Sequence, residues 1–189
     1  MQGPAKMRNE IINAAYAYAS NEGLAALSIR AIAKQCSVSV GTIYNYFPDK
    51  AALITEVITK FWRDVAFSEN TRTCLRYQEG ENLLVFCERL FSVMNQALEQ
   101  FRNNWLGEVS SFDARTRQKS KQAENEIFEH VYHRLEMVIR SDVAISSAAL
   151  DAVGAAHLAR LIWTTMYQSL RTGDTSWDTL KALMQEALY

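Results

Sequence analysis

The sequence is poor in the residues that interrupt helices. Only two prolines, Pro4 and Pro48, occur in 189 residues, and there are seven glycines. Proline and glycine are the strongest local breakers of a helix. With 49% apolar residues, the chain can bury a sizeable core in one domain or in two closely packed ones. We therefore predict an all-α protein that is helical over almost its whole length.

Cysteine and long apolar runs are also scarce. The three cysteines, Cys36, Cys74 and Cys87, lie far apart without a Cys-x-x-Cys pair, and an odd count gives no closed disulfide framework. No stretch approaches eighteen uninterrupted apolar residues, and the first ten residues lack the apolar core of a signal peptide. We expect a cytoplasmic protein that is neither secreted nor inserted in a membrane.

Charge of one sign does not dominate the whole chain, but it is unevenly distributed. The 20 basic and 21 acidic residues nearly cancel. Residues 1–63 nevertheless hold seven Lys and Arg against four acids, a net charge of +3, so the remainder carries −4. A modest positive field is therefore expected in the N-terminal third of the chain.

Four helices are predicted in that N-terminal third. The first runs from about Lys6 to Asn21 and stops at Gly23 through a left-handed conformation. Ser28 caps a short second helix over 29–35. After a turn, Ser39 caps a third helix over about 40–47, and Pro48 ends it. Asp49 caps the fourth. Two short helices joined by a tight turn indicate a helix-turn-helix, whose second helix enters the DNA major groove.

The third helix is predicted to have one buried side and one contacting side. Ile43 and Phe47, spaced i, i+4, are expected to face the first two helices together with Val40. Thr42, Asn45 and Tyr46 then point outward, and Tyr44 lies at the edge. Hydroxyls and an amide suit phosphates and base edges, so this side is a candidate DNA contact.

The segment "LSIRAIAKQCSVSVGTIYNYFPDKAALITEV", Leu27 to Val57, closely resembles the DNA-binding signature of tetracycline-repressor-like (TetR/AcrR) transcriptional regulators. The resemblance covers about the first third of the chain. It implies a helix-turn-helix DNA-binding domain over 1–50 with three helices, and a helical ligand-binding and dimerisation domain over 51–189. The DNA-facing residues it implies, position by position, are Ser28, Arg30, Ser39, Gly41, Thr42, Tyr44, Asn45, Tyr46 and Lys50.

Two positions depart from the family pattern. Ser37 stands in the turn where glycine is usual, so we expect a strained left-handed residue there. Val40 stands where a basic or polar residue is common, which removes one contact and alters the operator preference.

The rest of the chain resembles the family only in architecture. Long helices are predicted at about 49–75, 80–104, 113–141, 146–171 and 175–188, with a short extra turn around Asn104 to Ser111. The helix over 146–171 carries two adjoining apolar sectors, one with Trp163 and the other with Leu161. A helix that needs burial on two sides indicates an oligomer interface. The alternative is a thick core within one chain.

The resemblance implies a homodimeric repressor that binds a palindromic double-stranded DNA operator and is released by a small-molecule inducer, without a cofactor or a membrane partner. For the inducer, Phe101, Trp105, His157, Trp163 and Tyr167 are candidates to line an amphipathic aromatic pocket. The same aromatics also fit an ordinary core or a dimer interface.

A metal-responsive regulator is a second interpretation. Glu126, His130, His133 and Met137 follow one another at i, i+4, i+7 and i+11, a spacing that places them on one helix face. However, this face lies away from the apolar stripe of the same helix, and Glu–His pairs on a solvated face explain it more simply. We therefore assign no metal ligand.

Enzymatic activity is not predicted. The sequence has no phosphate-binding glycine loop, nucleophile elbow or His-Glu-x-x-His motif. A helical di-iron oxidase would need Glu-x-x-His pairs, and each Glu–His spacing here is four. The remaining alternative is a helical dimerisation or scaffold protein that does not bind specific DNA. Salt-dependent binding of a defined duplex distinguishes a regulator from such a scaffold.

Overall fold

A computed structural model describes residues 3–66, 68–74, 76, 78, 80–99 and 112–189, of which Ala66, Asn70, Cys74, Ala123 and Glu126 are described by their backbone alone. This part of the chain is helical and contains no β-strand, which confirms the all-α prediction. Its helices are α1 (Pro4–Glu22), α2 (Ile29–Gln35), α3 (Val40–Tyr46), α4 (Lys50–Ala66), α5 (Glu69–Cys74), α6 (Leu83–Glu99), α7 (Ala114–Ser141), α8 (Ser147–Val153), α9 (Ala155–Thr172) and α10 (Ser176–Leu188). None of them is long and apolar enough to cross a membrane.

The chain divides into two compact units. The described residues within 1–65 and 98–125 form the first unit, and those within 66–97 and 126–189 form the second. From the sequence we predicted a DNA-binding domain over 1–50 and a ligand-binding and dimerisation domain over 51–189. That boundary separates two functions and not two compact units, so it stays a prediction.

The core of the first unit fixes the helix-turn-helix. Its almost completely buried apolar side chains come from α1 to α4 and from the segments between these helices: Ile11, Ala15, Leu24, Leu27, Ile32, Ile43, Phe47, Leu53, Val57 and Phe61. Trp62 on α4 is also buried, and its indole N–H donates to Glu124 on α7 at 3.1 Å. This bond satisfies two polar groups that would otherwise be costly to bury. The start of α7 is thereby held against α4.

The second unit is held by apolar packing and by two polar junctions. Ser169 accepts the backbone N–H of Trp177 at 2.9 Å and donates to Asp174 at 2.8 Å, which ties α9 to the start of α10. The buried carboxylate of Asp142 accepts the N–H of Leu83 at 2.7 Å and the hydroxyl of Tyr189 at 2.6 Å. Because both junctions use buried groups, they fix where α6, α9 and α10 begin or end.

Several helix boundaries differ from the sequence predictions. The helix predicted over 49–75 ends at Ala66, and Ser68 then caps the separate helix α5 through the N–H of Thr71 at 3.1 Å. Helix α6 begins three residues later than predicted, because Gly80 has a φ of +79° and Asn82 caps the new helix. The turn predicted around 104–111 lies outside the described residues.

The prediction of one continuous helix over 146–171 was wrong. The segment forms α8 and α9, which meet at Gly154 with a φ of +82°. This glycine is both the residue after α8 and the residue before α9, and its positive φ redirects the chain between them. A side chain rarely adopts such a φ, so the break depends on glycine.

We predict that Gly154→Ala destabilises the protein by about 1–2 kcal/mol, because alanine pays the left-handed backbone cost. An added Cβ would also lie 3.4 Å from Nδ1 of His157. Urea unfolding measures the change. Gly3→Ala is the control, since a Cβ there meets nothing within 4 Å. A gain of stability in Gly154→Ala would mean that a continuous helix is compatible with the fold.

Candidate nucleic-acid interface

The turn between α2 and α3 is a Schellman motif built on serine. The N–H of Ser37 donates to the carbonyl of Lys34 at 3.2 Å, and the N–H of Val38 donates to that of Ala33 at 3.0 Å. Ser37 has a φ of +55°, as its place in the turn predicted. Glycine is usual at this position because it adopts a positive φ without a steric cost.

Three side chains set the starts of the helices around this turn. Ser28 accepts the N–H of Ala31 at 3.1 Å, and Ser39 accepts that of Thr42 at 3.0 Å. Asp49 accepts the N–H of Ala52 at 2.7 Å through Oδ1. All three caps were predicted from the sequence and are confirmed. Each satisfies one of the backbone donors that a helix start leaves unpaired.

Helix α3 has the predicted buried side. Ile43 and Phe47 are almost completely buried, and the guanidinium of Arg8 lies 5.2 Å from the centre of the Phe47 ring. Arg8 also pairs with Glu56 on α4, so Phe47 is covered by a fixed cation. The opposite side of α3 is therefore the side that faces solvent.

The prediction for Val40 was wrong, because this residue is 37% exposed and is not buried against the first two helices. Val40 is the first residue of α3, where the chain is still leaving the Ser39 cap. Although Val40 lies three residues before the buried Ile43, this spacing does not bury Val40 in the first turn of α3.

Most of the residues proposed to face DNA are exposed, and together they form a surface that we term the outer face. Its exposed members are Ser28, Arg30, Ser39, Gly41, Tyr44, Asn45 and Lys50, and its half-buried members are Thr42 and Tyr46. Tyr44 is the more exposed of the two tyrosines of α3, with 49% of the residue exposed. Their role in DNA binding stays a prediction.

The capping hydroxyls of the outer face keep part of their hydrogen-bonding capacity. A serine hydroxyl has one donor and two acceptor sites. Ser28 uses an acceptor site for the N–H of Ala31, so its own hydrogen remains available to a phosphate oxygen. Ser39 and Thr42 lie 2.9 Å apart, so one of their hydroxyls donates to the other and the second hydrogen can be given to a ligand. Capping and phosphate binding are thus compatible.

Charged groups at the start of α4 and on α7 lie at one end of the outer face. Lys50 donates to the carbonyl of Ala25 at 3.3 Å, which leaves two of its three ammonium hydrogens for other acceptors. Arg115 and Lys119 of α7 lie 3.5 and 3.8 Å from Oδ2 of Asp49. Sequence reasoning did not find this contact, although the basic run "RTRQK" was a visible signal.

Cys36 ends α2 and is only partly exposed. Burial raises the pKa of its thiol, and the nearby charge of Glu10 raises the pKa further. The thiol therefore stays protonated at neutral pH and is a poor nucleophile.

The residues proposed for an inducer pocket are only partly brought together. Trp163 is buried against Phe128 at 5.1 Å between ring centres, and it is stacked with Tyr167 at 6.4 Å. His157 is exposed, whereas Phe101 and Trp105 lie outside the described residues. The indole nitrogen of Trp163 is buried without a hydrogen-bond partner among the described residues. That these residues line an inducer pocket stays a prediction.

The histidines proposed for the metal alternative, His130 and His133, are exposed on α7. The side chain of Glu126 lies outside the described part of the chain. Within that part, no group of three or more His, Cys, Asp or Glu side chains is placed to hold a metal ion.

Residues 11–57 match the family model described as bacterial regulatory proteins, tetR family. A curated relative, the HTH-type transcriptional repressor KstR of Rhodococcus jostii (strain RHA1), is 40% identical over 53 residues. That alignment covers 28% of this chain and 25% of KstR, so the chain spans about a quarter of the length of this relative.

The whole chain is similar in fold to two solved structures. Salmonella enterica GusR matches with a TM-score of 0.64 and 20% identity over 100% of this chain and 98% of GusR. The multidrug binding protein EbrR, complexed with imidazole, matches with a TM-score of 0.62 and 19% identity over 99% of this chain and 92% of EbrR. At these identities the likeness establishes the fold alone.

We predict that Ser37→Gly stabilises the protein by about 1 kcal/mol, because glycine adopts the positive φ of the turn without strain. Urea unfolding measures the change. Ser92→Gly, at an exposed position inside α6, is the matched control and should lose about 0.5–1 kcal/mol. Equal losses in both variants would show that Ser37 is not strained.

Proposed function

We propose that this chain, whose residues 11–57 match the tetR family of bacterial regulatory proteins, is a DNA-binding transcriptional repressor of that family. It binds a palindromic operator as a homodimer, and a small-molecule inducer releases it. The proposal concerns the whole protein, whereas the family match covers residues 11–57.

The observation that carries the proposal is the two-sided packing of α3. Burial of Ile43 and Phe47 leaves the α3 residues of the outer face accessible along the same short helix. That face presents hydroxyls, an amide and the two cations Arg30 and Lys50, and α3 itself contains no carboxylate. These are the groups that proteins use for phosphates and for base edges in the major groove.

Residues of the outer face divide into two expected roles. Asn45 is the candidate for direct base reading, because an amide can pair with the donor and acceptor edge of adenine. Gly41 allows a close approach, since a Cβ there would meet only Ser39 Oγ at 3.6 Å. Val40, being exposed and apolar, suits contact with a thymine methyl group. Ser28, Arg30 and Lys50 suit phosphates.

A homodimer is proposed from exposed apolar residues on the last two helices. Leu161 on α9 is 49% exposed and Leu183 on α10 is 61% exposed, although both helices also bury apolar residues within the chain. Covering such residues with a second copy would form the four-helix arrangement expected of this family. Two recognition helices about 34–36 Å apart would then read the two halves of a palindrome.

Release by an inducer is proposed as a shift between two conformations. An inducer that binds one conformation more tightly lowers operator affinity by its difference in binding free energy. Trp163 supports a ligand with a hydrogen-bond acceptor, because its buried N–H has no partner among the described residues. Phe128 and Tyr167 beside it suit a flat or apolar ligand body.

Selection of genomic DNA fragments with the purified protein should recover a palindrome. We predict that Asn45→Ala then weakens binding to that palindrome by about 10-fold or more, since a lost base contact costs about 1–3 kcal/mol. Fluorescence anisotropy at fixed salt measures the affinity. Gln35→Ala removes an exposed amide from α2 of the same unit and is the control that should retain binding.

Recovery of no sequence by a folded dimer would contradict operator binding in the ligand-free state. Equal binding by Asn45→Ala and the wild type, including at mismatched bases, would remove Asn45 from the base-reading set.

We predict that Leu161→Glu shifts the protein toward monomer by at least 10-fold in dissociation constant, because a charge would be buried at the interface. Sedimentation velocity over a range of concentrations measures this shift. Val143→Glu is the control, since Val143 is 96% exposed in the turn after α7. An unchanged dimer in Leu161→Glu would exclude this face of α9 from the interface.

A further inference from the structure

The first two turns of α7 carry an unusual concentration of positive charge. Residues 114–121 include Arg115, Arg117, Lys119 and Lys121 and contain no acid. The N-terminal end of a helix already carries a partial positive charge, so cations there lower the stability of the helix. The stability of α7 therefore does not account for this run of cations.

The two pairs of cations lie on different flanks of α7. Thr116, Ser120 and Glu124 form its buried side in this region. At 100° per residue, Arg115 and Lys119 lie on one flank of that side, and Arg117 and Lys121 lie on the other. On the first flank, Arg115 and Lys119 approach Oδ2 of Asp49 at 3.5 and 3.8 Å.

Asp49 creates an electrostatic conflict at the end of the outer face. Its carboxylate caps α4, where Oδ1 accepts the N–H of Ala52. It also precedes Lys50, a residue proposed to bind phosphate, and a carboxylate repels phosphate. Arg115 and Lys119 bring two positive charges to one negative charge, so this three-residue cluster has a net charge of +1.

The cluster remains open to a further anion. The side chain of Arg115 is 72% exposed, and its guanidinium has five N–H donors, more than one carboxylate oxygen can use. Exposed ion pairs of this kind contribute little to stability. Exchange of a water or a carboxylate contact for a phosphate therefore has a low cost.

We propose that Arg115 and Lys119 extend the DNA-binding surface beyond the helix-turn-helix by binding operator phosphates next to the one bound by Lys50. The inference rests on the proposed function. It adds the start of α7, which lies outside residues 11–57, to the proposed DNA-binding surface. The partner is the sugar-phosphate backbone, so the contact adds affinity without sequence preference.

The test compares two double variants of equal charge change on the recovered operator. Arg115→Gln with Lys119→Gln should weaken binding about 10-fold near 0.1 M salt and lower the slope of log affinity against log salt by about 1–2, because each phosphate contact contributes about 0.9. Arg117→Gln with Lys121→Gln is the control on the other flank of α7. This control should change the slope by less than half as much. Both double variants should select the same operator bases.

Asp49→Asn distinguishes two roles of Arg115 and Lys119: binding of phosphate, and screening of the negative charge of Asp49. Asparagine is also a good helix cap, so the substitution removes the negative charge while preserving the start of α4. The substitution is combined with Arg115→Gln and Lys119→Gln in a triple variant. If Arg115 and Lys119 bind phosphate, the slope of log affinity against log salt is as low in the triple variant as in the double variant. Full recovery of the slope by Asp49→Asn would overturn phosphate binding and leave only screening.

The outcomes distinguish this inference from the proposed function. Absence of operator binding by the wild type is a failure of the proposed function. Wild-type binding with equal slopes in the two double variants overturns the inference alone. Thermal unfolding of each variant confirms that the comparison is made on folded protein.

Discussion

The burial of Ile43 and Phe47 determines how α3 is rotated, and the rest of the candidate DNA-binding surface depends on that rotation. Both side chains are almost completely buried in the first unit. A rotation of α3 large enough to bury Tyr44 or Asn45 would expose one of them, at a cost of about 1.5–3 kcal/mol per apolar side chain. The outer face is therefore specified by the core, and no direct contact with DNA is needed to form it.

Local polar bonds then fix where each helix begins, and this is why the helix-turn-helix could be predicted so closely. Ser28, Ser39 and Asp49 cap helices that start where the sequence placed them. Caps and turns act over three or four residues, so a short stretch of sequence contains all the information they need. The strained φ of Ser37 was predictable for the same reason.

Features that depend on more distant packing were predicted less well. An isolated glycine inside a helical pattern is either tolerated or a break, and the sequence around Gly154 does not decide between the two. Val40 is apolar, which favours burial, yet it is 37% exposed at the start of α3. The contact of Arg115 with Asp49 joins residues 66 positions apart, and no periodic pattern encodes it. The pairs that a fold brings together from distant segments were thus the least predictable part of the site.

The cluster around Asp49 shows how a structural group is accommodated beside a surface proposed to bind polyanions. Capping by Asp49 is worth about 1 kcal/mol to α4, whereas its charge opposes phosphate binding at Lys50. Replacing the acid with asparagine would resolve the conflict within the helix-turn-helix. The chain instead supplies Arg115 and Lys119 from α7, which makes the charge at the end of the outer face depend on the position of a second segment. On our proposal, any movement of the start of α7 away from Asp49 would both remove phosphate contacts and leave the acid unscreened, so the two losses would add. Operator affinity would then respond to a small displacement more steeply than either contact alone allows.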